Sequence, residues 1–312
     1  MGSTSICHRI VALEGHFCDI PTLRLPESHS YTITVYDKTP VSEVAPRIKD
    51  AEILVITTIR LNAEILSESC SPHLRLIVAM ASGTDCIDIE ACKARGIMVC
   101  NSPRVNTAAV SEHAIALYFA ARRKMVALHE ATRRNQWKER GTLMGLMKDT
   151  EGKAPLTCGE EVMGIIGYGA IGRRIAEMAK MLGMQVLISG RKGSKDCPID
   201  RTPFGEVLKK STVLVLGLPR MKETTNLISI PELQTMRRDA IIINISRGGI
   251  VNEAALVVAL KENLIAGAGI DVFEREPAGI ENTPLLEEDV GDLNLTVTPH
   301  LAWYADTRPI SV

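Results

Sequence analysis

At 312 residues with 46% hydrophobic side chains, the chain can bury one large core or two moderate ones, and two domains fit its length better. Lys and Arg (36) nearly balance Asp and Glu (37), so no global field recruits nucleic acid or anionic lipid. No run reaches the roughly 18 apolar residues that span a bilayer, the start MGSTSICHRIVALEG lacks a leader pattern, and the eight cysteines stand singly without a CxxC pair, which points to a soluble cytoplasmic protein with reduced thiols and no metal site.

Short apolar runs alternate with segments of helical period, the pattern of parallel sheets covered by helices. YTITVY at 31–36, EILVITT at 52–58, LRLIVAM at 74–80 and GIMVC at 96–100 read as strands, and 87–95 reads as a helix. The Ala-rich, uninterrupted segment 107–128 predicts one long helix that joins two domains. Residues 130–160 are polar and basic, with Gly141, Gly145 and Gly152, and read as a loop or arm. From Val162 a second series begins: VMGIIG, QVLIS, VLVLGLP, AIIINIS, AGAGIDVF and LTVTPHLA read as strands, with GAIGRRIAEMAKML, TPFGEVLKK and EAALVVALKEN as crossover helices. About six strands with crossovers make a doubly wound dinucleotide-binding domain.

Gly167-Tyr168-Gly169-Ala170-Ile171-Gly172 follows an apolar strand and opens a helix, the context in which a GxGxxG run reads as a pyrophosphate cradle. Sites that prefer NAD end the second strand in an acid that binds the ribose hydroxyls, roughly 20 residues on. Gly190 stands there instead, followed by Arg191, Lys192, Gly193 and Ser194. Without the carboxylate a 2′-phosphate is not repelled, and Arg191 can offer it a forked contact, so NADP is expected over NAD. The remaining cofactor contacts expected are Ser194, Leu218 and Pro219 after VLVLG, and Ile245 and Ser246 after AIIIN.

Three polar groups fall at the ends of three strands: Arg247 after AIIINIS, Glu276 after AGAGIDVF, and His300 after LTVT. A guanidinium, a carboxylate and an imidazole are the parts that reduce a 2-oxo acid. Arg247 would bind the substrate carboxylate and polarise the oxo group, His300 would give the proton as hydride arrives, and Glu276 would favour the protonated ring. His113, on the Ala-rich helix, reads as a packing or interface residue.

The segments LRLIVAMASGTDCIDIEACKARGIMVCNSP, AAVSEHAIAL, GIIGYGAIGRRIA, IIINISRGGIVNEAAL, AGAGIDVFEREP and TPHLAW together resemble the D-isomer-specific 2-hydroxyacid dehydrogenase family. The resemblance implies Arg247, Glu276 and His300 as the catalytic three, with the acid directly before Pro277 rather than Glu274. It implies Asp271 as a contact to the nicotinamide carboxamide. It also implies that the turn Ala81-Ser82-Gly83-Thr84 offers backbone N–H groups to the substrate carboxylate. PHxAW and Gly190-Arg191 lean toward the glyoxylate, hydroxypyruvate and glycerate branch, with Trp303 as a wall of the pocket.

The expected architecture is a doubly wound Rossmann-type nucleotide domain at 107–299 and a smaller flavodoxin-like α/β substrate domain at 1–106, with 300–312 a candidate return segment to the latter. Substrate is expected between the two, and the family implies a homodimer built on the nucleotide domains. Two departures from the family stand out: Arg104 replaces the Gly that usually follows the NxP turn, and the chain stops at Val312, before a family helix that covers apolar surface on the first domain. A dinucleotide-binding corepressor-like relative or a degenerate, non-catalytic paralogue is the alternative to an enzyme. Formate dehydrogenase fits less well, because that branch uses Gln where Glu276 stands.

Overall fold

The computed structural model describes residues 6–17, 19–149, 151–194 and 196–305. The chain divides into two compact units, Met1–Val105 and Asn106–Val312. Residues 300–305 therefore fall with the second unit, and the rest of the candidate return segment lies outside the described residues.

The first unit contains β1 (Ile6–Ala12), β2 (His29–Val35), α1 (Val41–Ile48), β3 (Ile53–Ile56), β4 (Leu76–Ala79), α2 (Ile89–Ala94) and β5 (Met98–Asn101). The strands pair in parallel in the order β2-β1-β3-β4-β5, a flavodoxin-like doubly wound sheet. Leu13, Ile48, Leu54 and Ile77 are fully buried in its core. β1 is absent from the candidate strands read off the sequence, although it pairs on both sides. Only its last three residues are buried, and His8 and Arg9 break the apolar run. The buried Glu14, just past β1, accepts from the amides of Thr57 (2.7 Å), Thr58 (2.9 Å) and Ile59 (3.1 Å) and from the Thr58 hydroxyl. A carboxylate thus satisfies backbone donors at the carboxyl end of β3 that burial would otherwise orphan.

The second unit opens with α3 (Thr107–Arg122), α4 (Met125–Arg133), α5 (Gln136–Arg140) and α6 (Met144–Met147). The single long helix expected over 107–128 is broken: the chain turns at Lys124, whose φ is +46°. Arg122 is drawn inward at the end of α3 by the buried Glu161, while the Lys124 ammonium donates to the Lys148 carbonyl. The expected arm at 130–160 is more helical than its glycines suggest, because α4 runs into it and α5 and α6 lie within it.

Then follow β6 (Val162–Ile166), α7 (Ala170–Met181), β7 (Gln185–Ile188), α8 (Phe204–Lys210), β8 (Val213–Leu216), α9 (Ile230–Thr235), β9 (Ile241–Asn244), α10 (Glu253–Lys261), β10 (Gly267–Ile270) and β11 (Leu295–Val297). They form a parallel sheet in the order β11-β10-β9-β8-β6-β7, the doubly wound arrangement expected. A parallel bridge between Ser189 and Thr202 adds a vestigial strand beside β7. One apolar layer packs α3 and α7 on the sheet, and a second packs α8, α9 and α10 on its other face. The connection from β7 through α8 returns past β6 to β8. The order therefore reverses between β6 and β8, and ligands of open α/β sheets bind outside the carboxyl ends at such a point.

Candidate active site

The glycine run lies at that reversal. Gly167 has φ +97°, and a side chain there would collide with the Gly217 carbonyl oxygen 2.3 Å away. A Cβ on Gly172 would meet the Gly167 carbonyl oxygen at 2.1 Å, so α7 starts hard against the turn. Gly169, at the amino end of α7, faces open space instead. Backbone N–H groups at a helix start, with room in front of them, fit a dinucleotide pyrophosphate. Tyr168 packs its ring between the guanidiniums of Arg173 (4.7 Å) and Arg201 (4.8 Å), and Ala170 and Ile171 begin α7. Leu218 is half-buried beside the turn and Pro219 is exposed.

At the end of β7, Gly190 donates its amide to the Thr202 carbonyl, and a Cβ on it would lie 2.8 Å from Cys197 Sγ. The absence of an acid here thus has a steric side, since the neighbouring thiol fills the place of a side chain. Gly190, Arg191, Ser194, Cys197 and Phe204 help line a cavity of about 180 Å³. Lys192 is turned away to the Leu227 carbonyl (3.0 Å) and Glu232 (2.8 Å). Arg191 is exposed and makes no ion pair among the described residues.

Arg247, Glu276 and His300 follow β9, β10 and β11, three adjacent strands, at their carboxyl ends. Arg247 is half-buried, and its Nη1 donates to the Ser246 carbonyl at 2.7 Å. His300 Nδ1 lies 2.7 Å from Glu276 Oε2, and Glu276 Oε1 accepts the Phe273 amide at 2.9 Å. His300 is 37% exposed in its side chain, and Nε2 has no hydrogen-bond partner among the described residues. A carboxylate fixed from one side holds one ring nitrogen and leaves the other outward, the posture of a proton donor.

The chain is similar to known proteins over most of its length. Residues 115–302 match the family profile described as D-isomer specific 2-hydroxyacid dehydrogenase, NAD binding domain. Glycerate dehydrogenase from Methylorubrum extorquens is 36% identical over 298 residues, 95% of this chain and 89% of that protein. Glyoxylate reductase from Thermococcus gammatolerans is 35% identical over 84% of this chain and 76% of its own. The chain belongs to the D-isomer-specific 2-hydroxyacid dehydrogenase family. It is thereby placed among NAD(P)-dependent oxidoreductases, as the sequence motifs imply. Among solved structures, the NADPH-dependent glyoxylate/hydroxypyruvate reductase from Sinorhizobium meliloti, in complex with NADP and malonate, is similar at TM-score 0.76 and 25% identity, over 96% of this chain and 88% of that one. D-lactate dehydrogenase from Aquifex aeolicus, with NAD and lactic acid, is similar at TM-score 0.72 and 28% identity over 88% and 84%.

Against this dehydrogenase family, other expected site residues take definite places. Asp271 is fully buried and faces no solvent: Oδ1 accepts from the Thr298 hydroxyl (2.6 Å) and Leu301 amide (3.2 Å), and Oδ2 from the Ala302 amide (3.1 Å). Burial alone would raise its pKa, but hydrogen bonds from His113, Thr298 and the Ala302 amide outweigh that and hold it below the usual carboxylate range. The side chain expected to touch a nicotinamide carboxamide is thus occupied in fastening the His300 turn. Ile245 is buried in the core and the Ser246 hydroxyl bonds Asn244 Oδ1 (2.9 Å), so both side chains point into the protein. Trp303 is half-buried against the α3 and α7 layer and meets Tyr304 edge-on.

In the first unit, Ala81, Ser82 and Gly83 follow β4; Ser102 donates its amide to the Ala81 carbonyl (3.0 Å), and Asn101 donates to the Ser82 carbonyl (2.8 Å). Arg104 has φ +69°, which accounts for the Gly usual in the family at that position. Two residues have partners that the sequence reading does not assign. Glu253, at the start of α10, accepts the Glu274 amide (2.6 Å) and Thr283 hydroxyl (2.7 Å) and so pins the segment that carries Glu276. An acid in the first turn of a predicted helix is its only signal in the sequence. The second is His113, whose partners lie far along the chain.

Proposed function

We propose that this protein reduces a small 2-oxo acid of the glyoxylate and hydroxypyruvate class to the D-2-hydroxy acid, with NADPH as the preferred donor. The observation that carries the reading is the His300–Glu276 hydrogen bond of 2.7 Å, at strand ends next to the one that carries Arg247. The turn 167–172 and the amino end of α7 fit a dinucleotide, which supplies the hydride when bound.

The chain's own residues do the rest. Arg247 binds the substrate carboxylate and draws electron density toward the oxo oxygen. His300 gives its Nε2 proton to that oxygen as C2 gains hydride, so the C=O π bond becomes C–H and O–H. Glu276 stabilises the imidazolium before transfer and the ring orientation throughout. In the oxidative direction the same imidazole takes the hydroxyl proton.

NADP preference is supported by the missing acid at Gly190, an Arg191 with no ion pair among the described residues, and the cavity beside them. The Sinorhizobium meliloti enzyme carries NADP in its complex, while the Aquifex aeolicus enzyme carries NAD, so the fold accommodates both dinucleotides. Met125, Val126, Trp137 and Met144, exposed along α4 to α6, favour a homodimer built on this arm. Described cysteines carry free thiols, in keeping with a cytoplasmic setting, and no described helix is long and apolar enough to cross a membrane.

The test is a panel of 2-oxo acids assayed with NADPH and NADH. Turnover of glyoxylate or hydroxypyruvate with higher kcat/KM for NADPH is expected. Higher kcat/KM with NADH sinks the cofactor half, and cofactor binding without turnover of any 2-oxo acid sinks the activity.

A further inference from the structure

His113 stands on α3, far in sequence from the proton donor, yet its ring reaches the turn that carries it. Nε2 lies 3.0 Å from Thr298 Oγ1 and 3.4 Å from Asp271 Oδ1. The single hydroxyl proton of Thr298 goes to Asp271 at 2.6 Å, so Thr298 can only accept from His113. The His113 tautomer is therefore the one with a proton on Nε2, shared between the hydroxyl and the carboxylate.

What this triangle holds is the backbone around His300. The Asp271 carboxylate takes the amides of Leu301 and Ala302, and the Asp271 carbonyl takes the His300 amide at 2.7 Å. His300 sits at φ +54°, an uncommon region for a residue other than glycine, and the neighbouring contacts hold it there. Sequence prepares the approach from α3. β10 reads GAGI, and a Cβ on Gly269 would lie 2.9 Å from Leu117 Cβ, so only glycine lets α3 come this close. A histidine that merely filled core would not spend its one donor on a buried carboxylate and its hydroxyl neighbour.

We propose that His113 is a positioning residue for the proton donor: it fixes Thr298 and Asp271, and through them the turn that aims His300 at Glu276. The proposal rests on the reading of His300 as proton donor. Removal of the His113 ring leaves Asp271 with its Thr298, Leu301 and Ala302 donors, so the fold survives while the turn gains freedom.

The test compares the full chain with His113→Ala and with His113→Gln, whose amide nitrogen can restore the donor. Displacement of a catalytic group by about 1 Å can cost about a hundredfold, so kcat in His113→Ala is expected to fall by about tenfold to a hundredfold. KM for the oxo acid and for NADPH, and Tm, are expected to stay near those of the parent, and His113→Gln to recover most of the loss. An independent readout is the Nδ1 proton of His300 in spectra of protein labelled with ¹⁵N-histidine, assigned by its loss in His300→Gln. Its exchange with water is expected to quicken in His113→Ala and to slow again in His113→Gln. Unchanged exchange overturns the proposal, as does a kcat within twofold of the parent, or a loss that tracks Tm and resists Gln. Should the parent turn over no 2-oxo acid, the proposed function fails, and proton exchange alone still decides the role of His113.

Discussion

His300 meets Glu276 through Nδ1 at 2.7 Å, which commits one ring nitrogen to a carboxylate and leaves Nε2 as the atom that can face a substrate. Glu276 is itself anchored by the Phe273 amide, so the pair is oriented from the β10 side. General acid catalysis contributes roughly 10²- to 10⁴-fold, and His300→Gln is expected to lose that much kcat at neutral pH while NADPH still binds. Glu276→Gln keeps an acceptor without the charge and is expected to lose less. Steady-state kinetics with NADPH fluorescence titration distinguishes the outcomes; turnover by His300→Gln near the parent value would mean another group gives the proton.

Arg247 presents a different dependence. Its Nη1 is already committed to the Ser246 carbonyl at 2.7 Å, which fixes the direction of the fork. A hydrogen bond to a charged group contributes about 1.5–3 kcal/mol, so Arg247→Gln is expected to lower kcat/KM for the oxo acid about ten- to hundredfold. Arg247→Lys keeps the charge but not the fork and is expected to recover only part of it. Dissociation constants for NADPH should not move, and a loss confined to cofactor binding contradicts the assignment.

The cofactor preference can be probed where Gly190 approaches Cys197. An acid at 190 restores ribose recognition only if its Cβ fits, and Sγ lies 2.8 Å from where that Cβ would stand. Gly190→Asp alone is expected to weaken NADPH without a comparable gain for NADH. With Cys197→Ala added, the ratio of kcat/KM values is expected to swing toward NADH. Equal ratios in the single and double variants would show that the thiol yields freely.

Much of this arrangement is legible in sequence because it obeys local rules. Four strands of the second unit, β6 to β9, are rich in Ile, Val and Leu, and each candidate catalytic residue comes within six residues of the end of a strand. β1 escaped because only Ile10, Val11 and Ala12 are buried, and a half-buried strand with His8 and Arg9 lacks a clean period. The break at Lys124 escaped because a left-handed lysine carries none of the glycine signal that ends most helices. His113 and Asp271 escaped in their actual relation because it is tertiary: no spacing rule joins residues 158 positions apart in sequence, 271 − 113.

Asp271 should leave a mark on acid stability. Its folded pKa is depressed below the ordinary carboxylate value, so the stabilisation is present above that value and is lost as pH falls through the lower folded one. Urea unfolding of Asp271→Asn is therefore expected to show its largest deficit against the parent near neutrality, with the gap closing below about pH 4, the ordinary range for Asp. A deficit that stays constant down to the lowest pH would mean that the carboxylate charge contributes nothing.

A buried network holds the sheet at its other end. Arg122 and Glu161 form a buried pair, with Nε to Oε1 at 2.6 Å and Nη2 to Oε2 at 3.0 Å. Glu161 also accepts from the hydroxyls of Thr212 and Tyr118, and Arg122 donates to the carbonyls of Asp239 (2.8 Å) and Thr212 (2.9 Å). This network joins α3 to the amino ends of β6, β8 and β9, so it stabilises the nucleotide unit without touching the candidate catalytic residues. Removal of one partner from a buried pair leaves the other charge without compensation, which costs about 3–5 kcal/mol. Glu161→Ala is expected to fall in that range by urea unfolding, while Arg122→Met with Glu161→Leu should recover a large part of it, because neither charge is then stranded. kcat at a temperature where each variant is folded should be nearly unchanged. A double variant no more stable than Glu161→Ala would show that the carbonyl contacts of Arg122, rather than its charge partner, hold α3 to the sheet.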